Sequence, residues 1–347
     1  MKLNIKEILW LFAMGLFYIA IGLMGNVFPL IYVFSFILGV PYIIYIYKKG
    51  VESYSLLLAL IIVAILIFSD KGKSALMIVL LVFIPSLISG LFFNKKINLS
   101  KNLIQLSIIY FLIWIGIIII WDYIYNVNLM ESFYSIMNSF EEISLNQLIK
   151  VFDEIRIDKE GVKSVRNALF KMRDYSNEDI TKLHAIYRLV IKYYYYLIQY
   201  LFPVFVFVFA FFSSFIQVLV SKLVLDNLTW EAPSLKQLFN IAVRPLTIVL
   251  VGLMLIIRTT ITSKLSPELI ISIDNILVIF LFLMFLIGLL FAIHIIKNSD
   301  SRYNFKLALI ILTIINLILS PFLFISLIIM LGIFETIFNF RNKERFL

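Results

Sequence analysis

The chain alternates between long apolar runs and short polar or basic breaks. Runs at residues 8–24, 28–47, 53–68, 74–93 and about 103–126 are separated by Gly25-Asn26, Lys48-Lys49-Gly50, Asp70-Lys71-Gly72-Lys73, and the segment from Asn94 to Lys101. A second set follows at about 197–221, 240–257, 270–296 and 304–338. A helix of roughly 20 apolar residues spans the hydrocarbon core of a bilayer, so each run predicts a membrane-crossing helix. The last run is too long for one ordinary span, and Ser320-Pro321 lies in its middle. The residue before a proline disfavours helix, so two short spans joined there are expected. The fold class is all-α and polytopic, with about ten transmembrane helices.

Between the two sets the pattern changes. Leu129, Phe133, Ile136, Met137 and Phe140 fall on one helical face, and so do Leu145, Leu148, Ile149, Phe152 and Ile155. A third short helix is expected at 160–172. These stripes predict a small helical insert in water, packed as a mini-core. Ser176-Asn177-Glu178-Asp179 then reads as a helix start. One helix is expected from 177 to about 225: it carries Lys182, His184, Arg188 and Lys192, passes the headgroups at Tyr193 to Tyr196, and kinks at Pro203. The expected organisation is a five-span bundle over 1–127, an extramembrane insert over 128–192, and a second bundle of about five spans over 193–347.

Composition fits this pattern: of 347 residues, 62% are hydrophobic and 15% charged. A soluble chain of that size could not bury so much apolar surface. Cysteine is absent, which excludes disulfides and thiolate chemistry, and the two histidines, His184 and His294, share no ligand spacing. No metal or cofactor is expected. The net charge of +9 does not point to nucleic acid, because the basic residues cluster in short loops between spans. With ten spans and a cytoplasmic N-terminus, the inner segments hold fifteen Lys and Arg, and the short outer loops hold only Lys71, Lys73, Arg258 and Lys264. The expected location is the cell membrane, multi-pass, with both termini cytoplasmic. The N-terminal run lacks a small-residue cleavage site and is read as a retained span.

Two stretches carry a family resemblance. Residues 219–235 (LVSKLVLDNLTWEAPSL) are followed by Phe239 and Arg244-Pro245, and the end of the chain reads LGIFETIFNFR at 331–341. Together they resemble the YybS-like family of bacterial membrane proteins, whose tail has an L-G-x-x-D-x-x-x-D-F-R-like form. Glu335 and Asn339 stand at the two acidic positions of that tail, and Asp226-Asn227 replaces arginines. The resemblance implies a remote relation to the substrate-binding components of energy-coupling-factor vitamin transporters. Those components dock a coupling subunit through A-x-x-x-A spacing on the first span. Ala13, Gly15, Ala20 and Gly22 supply small residues there at other spacings.

Ionisable groups within spans are functional candidates by default. Asp122, Lys192, Arg258 and Asp274 come from four spans and share the outer end. They converge on a polar solute or gate, or, in the reading favoured here, they snorkel from span ends. Arg244 and His294 belong to the inner half, where Arg244 contacts phosphate or carbonyls and His294 is read as a packed residue. Pro41, Pro85, Pro203 and Pro321 interrupt spans, and broken helices line mid-membrane sites; Gly39 with Pro41, and Pro85, are the best pointers to a cavity. No G-x-S-x-G, P-loop, H-E-x-x-H or paired-acid motif is present, so no enzymatic activity is expected. The function expected is a small-solute-binding or transport component in the bilayer. The alternative is a scaffold whose helical insert meets a membrane or envelope protein partner.

Overall fold

The computed structural model describes residues 5–125, 193–298 and 320–343, together with Ser135. Within those ranges positions 71, 194, 229, 231, 232, 236, 238–240, 242 and 262–264 are outside the description. α1 (Ile5–Val27) leads through a 3-10 turn (Pro29–Phe34) and the single turn α2 (Ser35–Leu38) into α3 (Val40–Lys49). α4 (Ser53–Asp70) and α5 (Lys73–Ile78) follow; α5 runs through a π-helical turn (Val79–Phe83) into α6 (Ile84–Asn94). Then come α7 (Leu99–Tyr125), α8 (Phe202–Asn227), α9 (Pro245–Thr260), α10 (Pro267–Asn298), α11 (Pro321–Phe338) and the short α12 (Phe340–Lys343).

Among the described residues, seven helical stretches are long and apolar enough to cross a membrane: Glu7–Gly25, Ile31–Lys49, Lys73–Asn94, Leu99–Ile120, Phe202–Asn227, Pro267–Ile295 and Pro321–Phe338. Two shorter apolar helices, Tyr54–Phe68 and Pro245–Thr260, occupy two further expected spans. The run at 304–319 lies outside the described residues. The expected division of the last run is visible from its second half: Ser320 is non-helical (φ −149°, ψ 70°) and α11 begins at Pro321.

Proline marks five of the helix starts among the described residues. α3, α8, α9, α10 and α11 each carry it at the first or second position, where its missing N–H has no intrahelical partner to lose. The long helix expected from 177 to 225 with a bend at Pro203 is described from Tyr195 onward, with one turn residue interrupting it two positions before the proline. Residues 195–200 are helical, Leu201 forms a turn with its N–H bonded to the Leu197 carbonyl at 2.9 Å, and the helix restarts at Phe202. The part expected at 177–192 is outside the described residues. Pro85 behaves differently. It stands inside a continuous helical stretch whose ladder has already widened to π geometry, with the Ile84 N–H reaching the Val79 carbonyl. A π turn is a common accommodation of a lost i→i−4 bond.

The chain divides into two compact units, Met1–Ile115 with Val204–Leu347, and Gly116–Pro203. In the second, the described parts are the end of α7, Ser135 and the residues leading to Pro203; the expected helices at 129–172 lie outside the description. In the first, α1 packs on α4 and α5, α3 on α6, α9 on α10, and α10 on α11. Its interior includes Phe93, Leu99, Leu103, Leu106, Ala210, Val218 and Leu225, all fully buried. Large side chains such as Leu60, Phe68 and Phe322 point outward, a surface suited to lipid. Tyrosines serve the backbone at the breaks: the Tyr18 hydroxyl donates to the Leu38 carbonyl at 3.1 Å, beside the Gly39 break. A freed carbonyl at that depth needs such a donor, since lipid supplies none.

Candidate functional site

The first unit holds a seam of buried polar side chains where its discontinuous helices meet. Gln217 of α8 is at its centre. The Tyr110 hydroxyl of α7 donates to Gln217 Oε1 at 3.0 Å, and Gln217 Nε2 donates to Ser86 Oγ of α6 at 3.3 Å. Tyr110, Ser86 and Gln217 are all wholly buried. The α2–α3 break lies directly against them. A Cβ on Gly39 would fall on Ser86 Oγ and come within 3.0 Å of Gln217 Nε2. Gly39 therefore lets backbone approach side-chain amide, which a residue with a Cβ would prevent. Ser86 follows Pro85 and the π turn, so two helix irregularities border one amide.

The seam extends along α8. Ser213, Ser214, Gln217 and Ser221 recur at helical spacing on one face and are buried. Ser214 donates to the Ala210 carbonyl at 2.7 Å, and Ser107 of α7 does the same to Leu103. Ser89, Ser213 and Ser221 hydroxyls, and both amide atoms of Asn102, have no hydrogen-bond partner among the described residues. Each such group costs about 1–3 kcal/mol relative to a bonded one. The network is made of neutral donors and acceptors. Among the described residues no three His, Cys, Asp or Glu gather as metal ligands would.

Of the residues proposed from sequence, Arg258 and Asp274 meet: Nε to Oδ1 is 2.8 Å and Nη2 to Oδ2 is 3.2 Å, a two-pronged ion pair joining α9 to α10. Asp122 lies in α7 with its side chain outside the description, and Lys192 lies outside it altogether. Arg244 is exposed at the N-cap of α9, and His294 is half-buried in α10. Pro85 is buried beside Ser86, Pro41 opens α3 after Gly39, and Pro203 and Pro321 begin α8 and α11. The site expected at Gly39 and Pro85 is thus a contact region, centred on a glutamine that sequence reasoning passed over. Its signal was present: Ser213-Ser214, Gln217 and Ser221 interrupt an otherwise apolar run at spacings that share a face.

The tail motif also acquires a geometry. Glu335, on α11 and 3% exposed, accepts from the backbone N–H groups of Phe340 (3.1 Å) and Arg341 (3.3 Å) and from Arg341 Nε (2.8 Å). Arg341 Nη2 donates to the Ile241 carbonyl at 2.9 Å. Asn339 takes the left-handed conformation (φ 51°, ψ 47°) that ends α11, a role asparagine fills with less strain than most residues. The acid at 335 is a helix stop that clamps the tail to the segment before α9.

No curated protein and no solved structure matches the chain. A family model described as "Predicted membrane protein (DUF2232)" matches residues 143–336, more than half of the chain. The match takes in Gln217 and its serines, the Arg258–Asp274 pair, and α11 as far as Thr336. On that match the chain belongs to the DUF2232 family of predicted membrane proteins.

Proposed function

We propose that this membrane protein binds a small, uncharged, hydrogen-bonding solute at the Tyr110–Gln217–Ser86 seam, as the solute-binding part of a transport system. The observation that carries the reading is Gln217, a buried amide held between two other helices and pressed against the Gly39 break. Polar groups at membrane depth are costly and are retained where they do work. Broken helices at the same place present backbone groups to a ligand. The resemblance of the 219–235 and 331–341 stretches to YybS-like proteins, and through them remotely to vitamin-binding transporter components, supports the same reading. The chain carries no catalytic signature, so the proposed role is binding and not chemistry. The basic inner loops favour cytoplasmic termini in a cell membrane.

The test is to purify wild type and Gln217→Leu in parallel and identify co-purifying small molecules by mass spectrometry. A polar solute should accompany the wild type and be lost from the variant, with both proteins monodisperse. If the wild type carries nothing above an unrelated membrane protein, solute binding fails. Capture of a protein partner through residues 128–192 would then favour the scaffold reading.

A further inference from the structure

A second feature lies at the basic end of the first unit, away from the seam. Glu7 and Trp10 of α1, Ile44, Tyr45, Lys48 and Lys49 of α3, and Leu228 and Trp230 after α8 line a cleft of about 270 Å³. Lys48 is exposed, its Nζ 5.4 Å from the centroid of the Trp230 ring. Tyr47 stacks on the same ring at 5.6 Å. Lys49 is engaged by Glu7 at 2.6 Å. Another basic turn lies close by: Asn94 Nδ2 donates to the Tyr47 carbonyl at 2.7 Å, and the exposed Lys95 and Lys96 come next. The acids close by are Glu7 on α1, Glu52 in the α3–α4 turn and Asp226 near the end of α8, which Lys222 engages, so lysines outnumber carboxylates among the described residues at this end. Apart from the lysines and Glu7, which Lys49 engages, the lining is apolar or aromatic, and the α1 face next to it exposes Leu9, Trp10 and Phe12.

We propose that this cleft seats the headgroup of an anionic phospholipid from the cytoplasmic leaflet, with its phosphate against Lys48 and Lys95. Three observations on one site point to lipid. The charge is positive and sits at span ends, the side the inner loops assign to the cytoplasm. The aromatic rings are those of an interfacial belt. The apolar α1 face runs from the cleft along the membrane-crossing part of the helix, where an acyl chain would lie. A basic pocket between helices at that depth recognises a phosphodiester, and a neighbouring apolar track recognises what is attached to it.

The experiment reconstitutes the full chain in vesicles of phosphatidylcholine with a minor fraction of phosphatidylglycerol, then releases it for native mass spectrometry to count bound lipids. The wild type should retain phosphatidylglycerol in preference to phosphatidylcholine, and excess inorganic phosphate should not displace it. Lys48→Ala should reduce retention about fivefold and Lys48→Ala with Lys95→Ala about 25-fold, with Lys73→Ala at wild-type level. Equal retention of the two lipids by the wild type would overturn the proposal. So would retention unchanged in the double variant, or displacement by phosphate, which would mean a free-anion site. Solute carriage at Gln217 is read separately, so the two ideas fail independently.

Discussion

Gly288 of α10 and Gly332 of α11 face each other, and each is occupied by the other helix's backbone. A Cβ on Gly288 would fall on the Ile328 carbonyl oxygen and lie 3.0 Å from the Gly332 nitrogen. One on Gly332 would fall on the Met284 carbonyl oxygen and lie 3.0 Å from the Gly288 nitrogen. Within a bilayer, apolar side chains gain little by leaving lipid, so helices associate through close packing at small residues. Gly288→Ala and Gly332→Ala should therefore each cost about 1–3 kcal/mol, since main chain must move to admit a methyl group. Gly252→Ala, whose Cβ would meet nothing within 4 Å, is the control. Thermal unfolding in detergent reads the difference; wild-type melting of both variants would mean the crossing is looser than described.

The polar seam should behave as a coupled unit. Gln217→Leu strands the Tyr110 hydroxyl and Ser86, at about 1–3 kcal/mol. Tyr110→Phe removes one donor and should cost less. Because both act on one hydrogen bond, the double variant should fall short of additivity by about 0.5–3 kcal/mol. Denaturation of the four proteins closes the cycle, and strict additivity would show that the bond contributes nothing.

The tail clamp is a strongly buried ion pair. Glu335→Ala leaves the Arg341 side chain, 8% exposed, without its carboxylate, and losing one partner of a buried pair costs about 3–5 kcal/mol. Glu335→Gln keeps an acceptor for the Phe340 and Arg341 amides and should lose less. Limited trypsin cleavage at Arg341 reads the release of the tail directly; equal resistance in wild type and Glu335→Ala would refute the clamp.

The Arg258–Asp274 pair predicts a contrasting result. Its side chains are 31% and 21% exposed, so solvent or headgroups screen it, and Arg258→Ala should cost no more than about 1 kcal/mol despite the two-pronged geometry. The exchanged pair, Arg258→Asp with Asp274→Arg, should recover most of the loss. A loss as large as that of Glu335→Ala would place this pair in a much drier setting.

The native chain has no cysteine, so topology can be read by single additions. Ser266→Cys, in the turn between α9 and α10, should react with a membrane-impermeant maleimide in intact cells. Lys95→Cys, between α6 and α7, should react only after the membrane is opened. Reaction of Lys95→Cys in intact cells would reverse the orientation drawn from the basic loops.

Some of the candidate site could be read along the chain. Gly39, Pro41 and Pro85 mark irregular helix, and all three lie where helices α3 and α6 approach Gln217. Arg258 and Asp274 were read as side chains snorkelling from span ends, and the ion pair between them came only from the structure. Pro321 was expected to open a second span, and α11 begins there, because a residue without an N–H fits a first turn as readily as it breaks a later one. Gln217 was overlooked because polarity was searched for as charge, and an amide in an apolar run carries none.

Chain order alone determined that this is a helical membrane protein, where most spans begin and end, and where its basic loops fall. Those properties are local: a span in lipid must satisfy its own backbone hydrogen bonds, and about 20 apolar residues suffice to declare it. Only the tertiary structure decided that Tyr110 meets Gln217 across 107 residues of chain, or that Gly288 lies against Gly332. Such meetings depend on how each helix is rotated and how far it slides against its neighbours. Helices that are apolar on every side carry almost no record of that in their sequence pattern.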